Sequence, residues 1–156
     1  MSLAQTADAG FAIDRARRTI RFVRDFAAPR TMVFEAWTTP EDLTIWWDAS
    51  GAPLAECELD LRPGGSFRFV SVHQDMHVFT GTYLEVAPPE RLVLEANGLI
   101  GTIQFAETAG GTRMTLEIAA SSDEQFRHLL ETGVAEGTNR TCDNLVAYVD
   151  GKPCAA

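Results

Sequence analysis

The sequence predicts an α+β fold: a seven-stranded antiparallel sheet wrapped around one long C-terminal helix, with two short helices between the first and second strands. Three observations predict it. Two short apolar stripes at helical spacing lie between residues 29 and 47 and carry all three tryptophans, Trp37, Trp46 and Trp47. From Leu54 to Ile118 the apolar period is 2, broken by short turns rich in Gly and Pro. After Ser122 the period returns to about 3.6 and holds to Val149.

Taken in order, residues 1–10 are small and polar and read as a loose tail, with 11–156 as a single domain. At 156 residues a chain buries roughly 68–70% of its unfolded surface, enough for a core. Arg15 to Arg18 read as a solvated turn. Thr19 to Phe26 is the first strand, with Ile20, Phe22, Arg24 and Phe26 on one face. Pro29 sits in the first turn of a helix whose stripe is Val33, Ala36 and Trp37. Thr39 and Pro40 restart the chain as cap and first residue of a second helix carrying Leu43, Trp46 and Trp47. Adjacent helical residues point about 100° apart, so one of the paired tryptophans enters the core and the other borders solvent or a pocket.

The strands follow. Cys57, Leu59 and Leu61 alternate with Glu56, Glu58 and Asp60, and Pro63-Gly64-Gly65 turns the chain. Phe67, Phe69, Ser71 and His73 share a face of the next strand, and a tight turn at 74–76 leads into His77 to Val86. Pro88-Pro89 ends that strand. Leu92 and Leu94, then Ile103 and Phe105, flank an Asn97-Gly98 hairpin turn. Gly110-Gly111 leads into Met114, Leu116 and Ile118. Turns this short make the sheet antiparallel. Ser122-x-x-Gln125 is a capping box, and Gly151 and Pro153 stop the last helix.

Charge and composition exclude several function classes. The 22 acidic and 13 basic residues give a net charge of −9, the reverse of a nucleic-acid footprint or an anionic-membrane binder. No apolar run approaches the roughly 20 residues of a spanning helix, so no membrane insertion is expected. The start of the chain lacks the basic and apolar blocks of a secretion signal. Cys57, Cys142 and Cys154 are odd in number and form no Cys-x-x-Cys pair, which fits reduced thiols in a cytoplasm.

The last helix suggests a hollow. Its inward stripe is bulky at both ends, with Phe126, Leu129, Leu130 and Val134 before Leu145, Tyr148 and Val149. The middle is Gly133, Gly137 and Thr141. A glycine inside a helix costs about 1 kcal/mol against alanine. Two on the buried side mean either a close approach or kink, or a helix that stands off the sheet and leaves a pocket. On the second reading Phe67, Phe69, Phe79, Phe105 and Met114 wall it from the sheet, with Phe126, Leu130 and Val134 from the helix. Trp46 is the tryptophan placed beside a ligand.

These residues resemble a known family, the bacterial proteins related to the C-terminal domain of the activator of Hsp90 ATPase. That family lies within the START-like, or Bet v 1-like, helix-grip superfamily. The matching pieces are Ala28-Pro29, Val33-Phe34, Ala36-Trp37-Thr38, Pro40-Glu41 and Trp46-Trp47, then Asp60-Leu61-Arg62-Pro63-Gly64-Gly65 and Phe67-Arg68. Gly81 to Val86, Pro89 to Val93, Glu136-Gly137 and Asp143-Asn144-Leu145 complete them. The resemblance implies a helix-grip fold with an apolar cavity between sheet and helix. It implies no catalytic set, because the matching motifs are turns and packing residues. Many relatives carry an aromatic near Thr138, so a threonine there enlarges or opens the pocket, or faces solvent.

Three polar candidates could orient a ligand. Arg24 on an apolar strand face needs a partner. It could hold a ligand carboxylate, although the cost of unpaired buried charge favours an internal salt bridge or a bulge that turns it outward. His73 and His77 flank a turn holding Asp75 and could bind a metal or act as acid and base; two histidines and one loop carboxylate assign no metal, and His73 is kept as a polar group at the mouth of the sheet. Tyr83 offers a hydroxyl, against the alternative of a packed ring. His128 is read as surface.

The leading expectation is binding of an apolar small molecule, lipid, sterol or polyketide-like, without a cofactor, by a cytoplasmic monomer or homodimer. A cyclase or hydrolase acting in the same cavity is the alternative. An Hsp90-type chaperone partner is a third reading. The expectation is against it, because the co-chaperone that names the family carries a further N-terminal domain.

Overall fold

The computed structural model describes residues 11–48, 50, 52–72 and 78–151. Its strands are β1 (Phe11–Asp14), β2 (Thr19–Phe26), β3 (Leu54–Leu59), β4 (Ser66–Ser71), β5 (Val78–Ala87), β6 (Arg91–Ala96), β7 (Leu99–Thr108) and β8 (Gly111–Ala119). They form one eight-stranded sheet in the order β1-β2-β8-β7-β6-β5-β4-β3, antiparallel at every pairing. Helices α1 (Arg30–Thr38) and α2 (Pro40–Trp46) join β2 to β3, and α3 (Asp123–Glu131) and α4 (Val134–Asp150) follow the sheet.

Two expectations need correction. The sheet has eight strands rather than seven, because β1 precedes the first strand foreseen. Asp14 accepts from the backbone N–H of Arg17 (3.1 Å), Arg18 takes a left-handed φ of 52°, and the chain folds back as a hairpin. The Phe11 ring packs 5.6 Å from Phe22. The α1–α2 pair therefore lies between the second and third strands.

The C-terminal helix is two helices. Ser122 caps α3 by accepting from the Gln125 N–H (3.1 Å), and Gln125 reaches back to the Ser121 N–H (2.7 Å), so the capping pattern does start a helix here. That helix ends at Thr132. Gly133 has φ of 79°, the left-handed geometry that terminates helices, and α4 begins at Val134.

The core lies between the concave face of the sheet and the helices. Ile20 and Phe22 of β2, Val33 and Trp37 of α1, Leu43 and Trp46 of α2, and Leu145 and Val149 of α4 are all buried. The convex face carries cross-strand ion pairs, among them a bidentate Arg113–Asp25 pair at 2.8 and 3.1 Å and Arg21–Glu117 at 3.5 Å. The alternation seen in the sequence is thus the two faces of one sheet.

Candidate functional site

A cavity of about 540 Å³ lies between α4 and the sheet. The wall residues of the strands and of α4 follow from the period of each element. On the sheet side these are Phe79 of β5, Leu94 and Ala96 of β6, Leu99, Gly101 and Ile103 of β7, and Leu116 and Ile118 of β8. Residues two apart share a strand face, so each strand presents one row. On the helix side they are Val134, Gly137, Thr138, Thr141 and Cys142, an i, i+3, i+4, i+7, i+8 stripe. Trp37, Trp46 and Trp47 close one end, and Asn97 stands in the β6–β7 turn.

The helix stands off because it is anchored to one side. α4 runs along β2 and touches α1, α2 and α3. Polar contacts hold it there. Arg24 of β2 donates to Asp143 Oδ1 (3.1 Å) and to Asn139 Oδ1 (2.5 Å) and O (3.2 Å). Thr141 donates to the Trp47 carbonyl (3.1 Å) and Asn144 to the Asp48 carbonyl (3.0 Å). The Tyr148 hydroxyl makes a short hydrogen bond to Asp42 of α2. Asp48 in turn accepts from Ser71 of β4 (2.9 Å). Over β5 to β8, a Cβ added at Gly137 would meet no atom within 4 Å. Of the two readings of that glycine, the structure takes the open one.

The tryptophans form an aromatic block. Trp37 and Trp46 pack edge to face at 4.9 Å, and Trp47 lies 5.6 Å from Trp46, 5.0 Å from Phe69 and 5.2 Å from Phe79. Trp46 is 1% exposed and donates to the Ala36 carbonyl (3.0 Å), while Trp37 donates to the Met114 sulfur (3.3 Å). Trp47 is the half-buried member of the adjacent pair.

Of the fourteen residues expected at a ligand, Trp46, Phe79, Val134 and Gly137 line the cavity. Phe67, Phe69 and Tyr83 instead build a packed ladder beside it: Phe67 lies 5.2 Å from Phe69 and 5.1 Å from Tyr83, and Phe69 joins the ladder to the tryptophan block through Trp47. Phe105 and Met114 sit under α1, where Phe34 packs 5.5 Å from Phe105 and Trp37 reaches Met114. That end of the sheet is therefore filled. Phe126 is buried and Leu130 half-buried in α3, and Gly133 is exposed at the helix break, outside the wall. Arg24 does face the helices, as its strand alternation requires, and its guanidinium is held by α4, the internal pairing that burial cost favoured. His73, His77 and Asp75 lie outside the described residues. His128 is exposed.

Sequence reasoning missed Trp37, Trp47, Gly101 and Cys142 as wall residues, along with the aliphatic rows of β6 to β8, while Thr138, expected to open the pocket or to face solvent, lines it. The signal for Thr138 and Cys142 was the same helical stripe that marked Gly137.

Among the described lining residues the titratable group is Cys142. Burial pushes its thiol up to about 12; Arg24 pulls the other way and Asp143 adds to the rise. Burial likewise raises Cys57 to about 11, with the Glu41 charge adding to it, and raises Tyr83 well above an ordinary phenol. Both described cysteines are free. No group of three His, Cys, Asp or Glu side chains spaced for a metal occurs among the described residues. No helix among them is long and apolar enough to cross a membrane.

The fold recurs in solved structures. A crystal structure of a Nitrosomonas europaea protein is 27% identical, with a TM-score of 0.79, covering 89% of this chain and 97% of that one. The solution structure of the AHSA1-like protein from Aeromonas hydrophila is 26% identical with a TM-score of 0.71, covering 85% and 92%. One from Arthrobacter aurescens, at 20% identity, shares the fold with a TM-score of 0.79 over 94% of each chain. No curated protein matches the sequence. Residues 27–150 match the family model described as activator of Hsp90 ATPase homolog 1-like protein. With the antiparallel sheet gripping α4, the chain belongs to that family, within the START-like helix-grip superfamily.

Proposed function

We propose that the protein binds an apolar small molecule of the lipid, sterol or polyketide kind in the cavity between sheet and α4. The carrying observation is the void itself: about 540 Å³ behind Gly137, walled by indole, phenyl and aliphatic side chains. Ligand pockets typically run about 300–1,000 Å³ and are mostly apolar. A void this size lined by leucine and tryptophan forfeits dispersion contacts that a filled core would keep. An apolar guest restores them, and each Å² removed from water contributes about 25 cal/mol.

Binding is favoured over catalysis by the chemistry of the wall. A nucleophilic thiol needs a lowered pKa, and that of Cys142 is raised to about 12. The free thiols and the acidic surface suit a reducing cytoplasm.

The test is native mass spectrometry for a co-purified guest, followed by thermal shift against lipids, sterols and aromatic polyketides. A ligand at 100 times its Kd stabilises by about 2.7 kcal/mol. For a domain of this length that is roughly 5–10 °C in Tm. A panel in which nothing co-purifies and nothing shifts Tm counts against the reading.

A further inference from the structure

The charge of the cavity narrows the ligand class, an inference that rests on the binding reading above. None of the described wall residues carries a charge at neutral pH, since the Cys142 thiol stays protonated. Arg24 of β2, beside the wall residue Cys142, is turned to Asp143 and Asn139 of α4. The polar groups of the wall are few and mostly committed. Thr141 donates to the Trp47 carbonyl, and the Asn97 backbone carbonyl accepts from Gln125 (3.0 Å), Asn97 itself standing exposed in the β6–β7 turn. Thr138 supplies the remaining wall hydroxyl.

We propose that this cavity selects uncharged ligands and rejects anions of the same skeleton, with Thr138 meeting the ligand's one neutral polar group. A single hydroxyl can satisfy one carbonyl, hydroxyl or amine. It cannot replace the solvation shell of a carboxylate or sulfonate, and an unpaired buried charge is among the most costly things a protein can hold. The net charge of −9 repels anions before they arrive. The shape of the wall adds to the selection. Three indoles and Phe79 face aliphatic rows across the void, a setting for a flat ring system with an aliphatic edge.

A matched pair of fluorescent probes tests this. N-phenyl-1-naphthylamine is uncharged, and 1-anilinonaphthalene-8-sulfonate is the same skeleton with a sulfonate. Both are titrated at neutral pH into the whole chain and into Gly137→Leu, whose side chain takes up part of the void; signal that this variant leaves unchanged is surface binding and is subtracted. The expected result is cavity binding of the amine about tenfold or more tighter than of the sulfonate. Thr138→Lys, which places an ammonium on the wall, should narrow that gap. Sulfonate binding that equals or exceeds the amine's, and is weakened in Gly137→Leu, overturns charge selection while leaving the cavity as a binding site. A gap that Thr138→Lys leaves unchanged, with the variant folded by circular dichroism, also overturns it. Cavity binding of neither probe overturns both this proposal and the binding reading.

Discussion

Gly137 is the residue at which stability and binding should move in opposite directions. It lies within α4, and its backbone N–H donates to the Gly133 carbonyl at 3.0 Å in regular helical fashion. A Cβ built there meets nothing within 4 Å. Gly137→Ala therefore gains the helix-propensity difference, about 1 kcal/mol, without a clash. Gly137→Leu adds burial of a side chain in the void, worth about 1.5–3 kcal/mol when complete, less roughly 0.5–1 kcal/mol of lost rotamer freedom. The sum is about 2 kcal/mol for leucine, since part of its surface remains at the mouth. At this chain length 1 kcal/mol moves Tm by roughly 2–4 °C. Alanine should raise Tm by about 2–4 °C and leucine by about 4–8 °C, read by calorimetry or circular dichroism, while leucine weakens binding of the neutral probe. A lowered Tm for either variant would mean that the glycine faces a close-packed neighbour, and the reasoning from the void would fail.

Four residues earlier the same change should have the opposite sign. Gly133→Ala forces a left-handed φ of 79° on alanine, costing roughly 1–2 kcal/mol, visible as a lowered urea midpoint with unchanged slope. Tyr148→Phe removes the hydrogen bond to the buried Asp42 and should cost about 1–2 kcal/mol in denaturant titration. Alkaline stability should reflect Cys142. Its folded pKa, raised by burial from 9.0 to about 12, contributes stability fully present below pH 9 and lost as pH rises toward 12. Urea midpoints from pH 8 to 11 should fall more steeply for the native chain than for Cys142→Ala.

How much of this was legible in the sequence depends on the range of the signal. The face of Arg24 could be read from strand alternation, because period 2 is local. Its partners Asn139 and Asp143 are 115 and 119 residues away, and nothing local names them. The eighth strand escaped because Phe11–Asp14 offers only two large apolar residues, Phe11 and Ile13, below what alternation can register; the Phe22 ring gives Phe11 its partner. The break at Gly133 was hidden because α3 and α4 pack on one core, so the apolar period runs through Phe126, Leu129 and Val134 without a gap. A hydrophobic pattern carries no sign of φ. The wall was misassigned for a related reason. Every strand offers an apolar row, and which part stays open depends on where α1 lies. Phe34 on Phe105 and Trp37 on Met114 fill one end of the sheet, which leaves the void to Leu99, Gly101 and Ile118 at the other.

The void persists because α4 is held by polar points rather than by apolar pressure. Apolar burial is non-directional and would draw a helix down onto β6 and β7. Hydrogen bonds are directional, and those of α4 aim sideways: Asn139 and Asp143 to Arg24, Thr141 and Asn144 to the carbonyls after α2, and Tyr148 to Asp42. Collapse onto the sheet would strip these partners from Arg24 and Asp42, groups with little exposure to water, and an unsatisfied buried group costs about 1–3 kcal/mol, more when charged. Five such contacts within about two and a half turns oppose the dispersion gained by closing a gap behind a glycine. The residues that look least hydrophobic on α4 are thus the ones that keep its apolar cavity open.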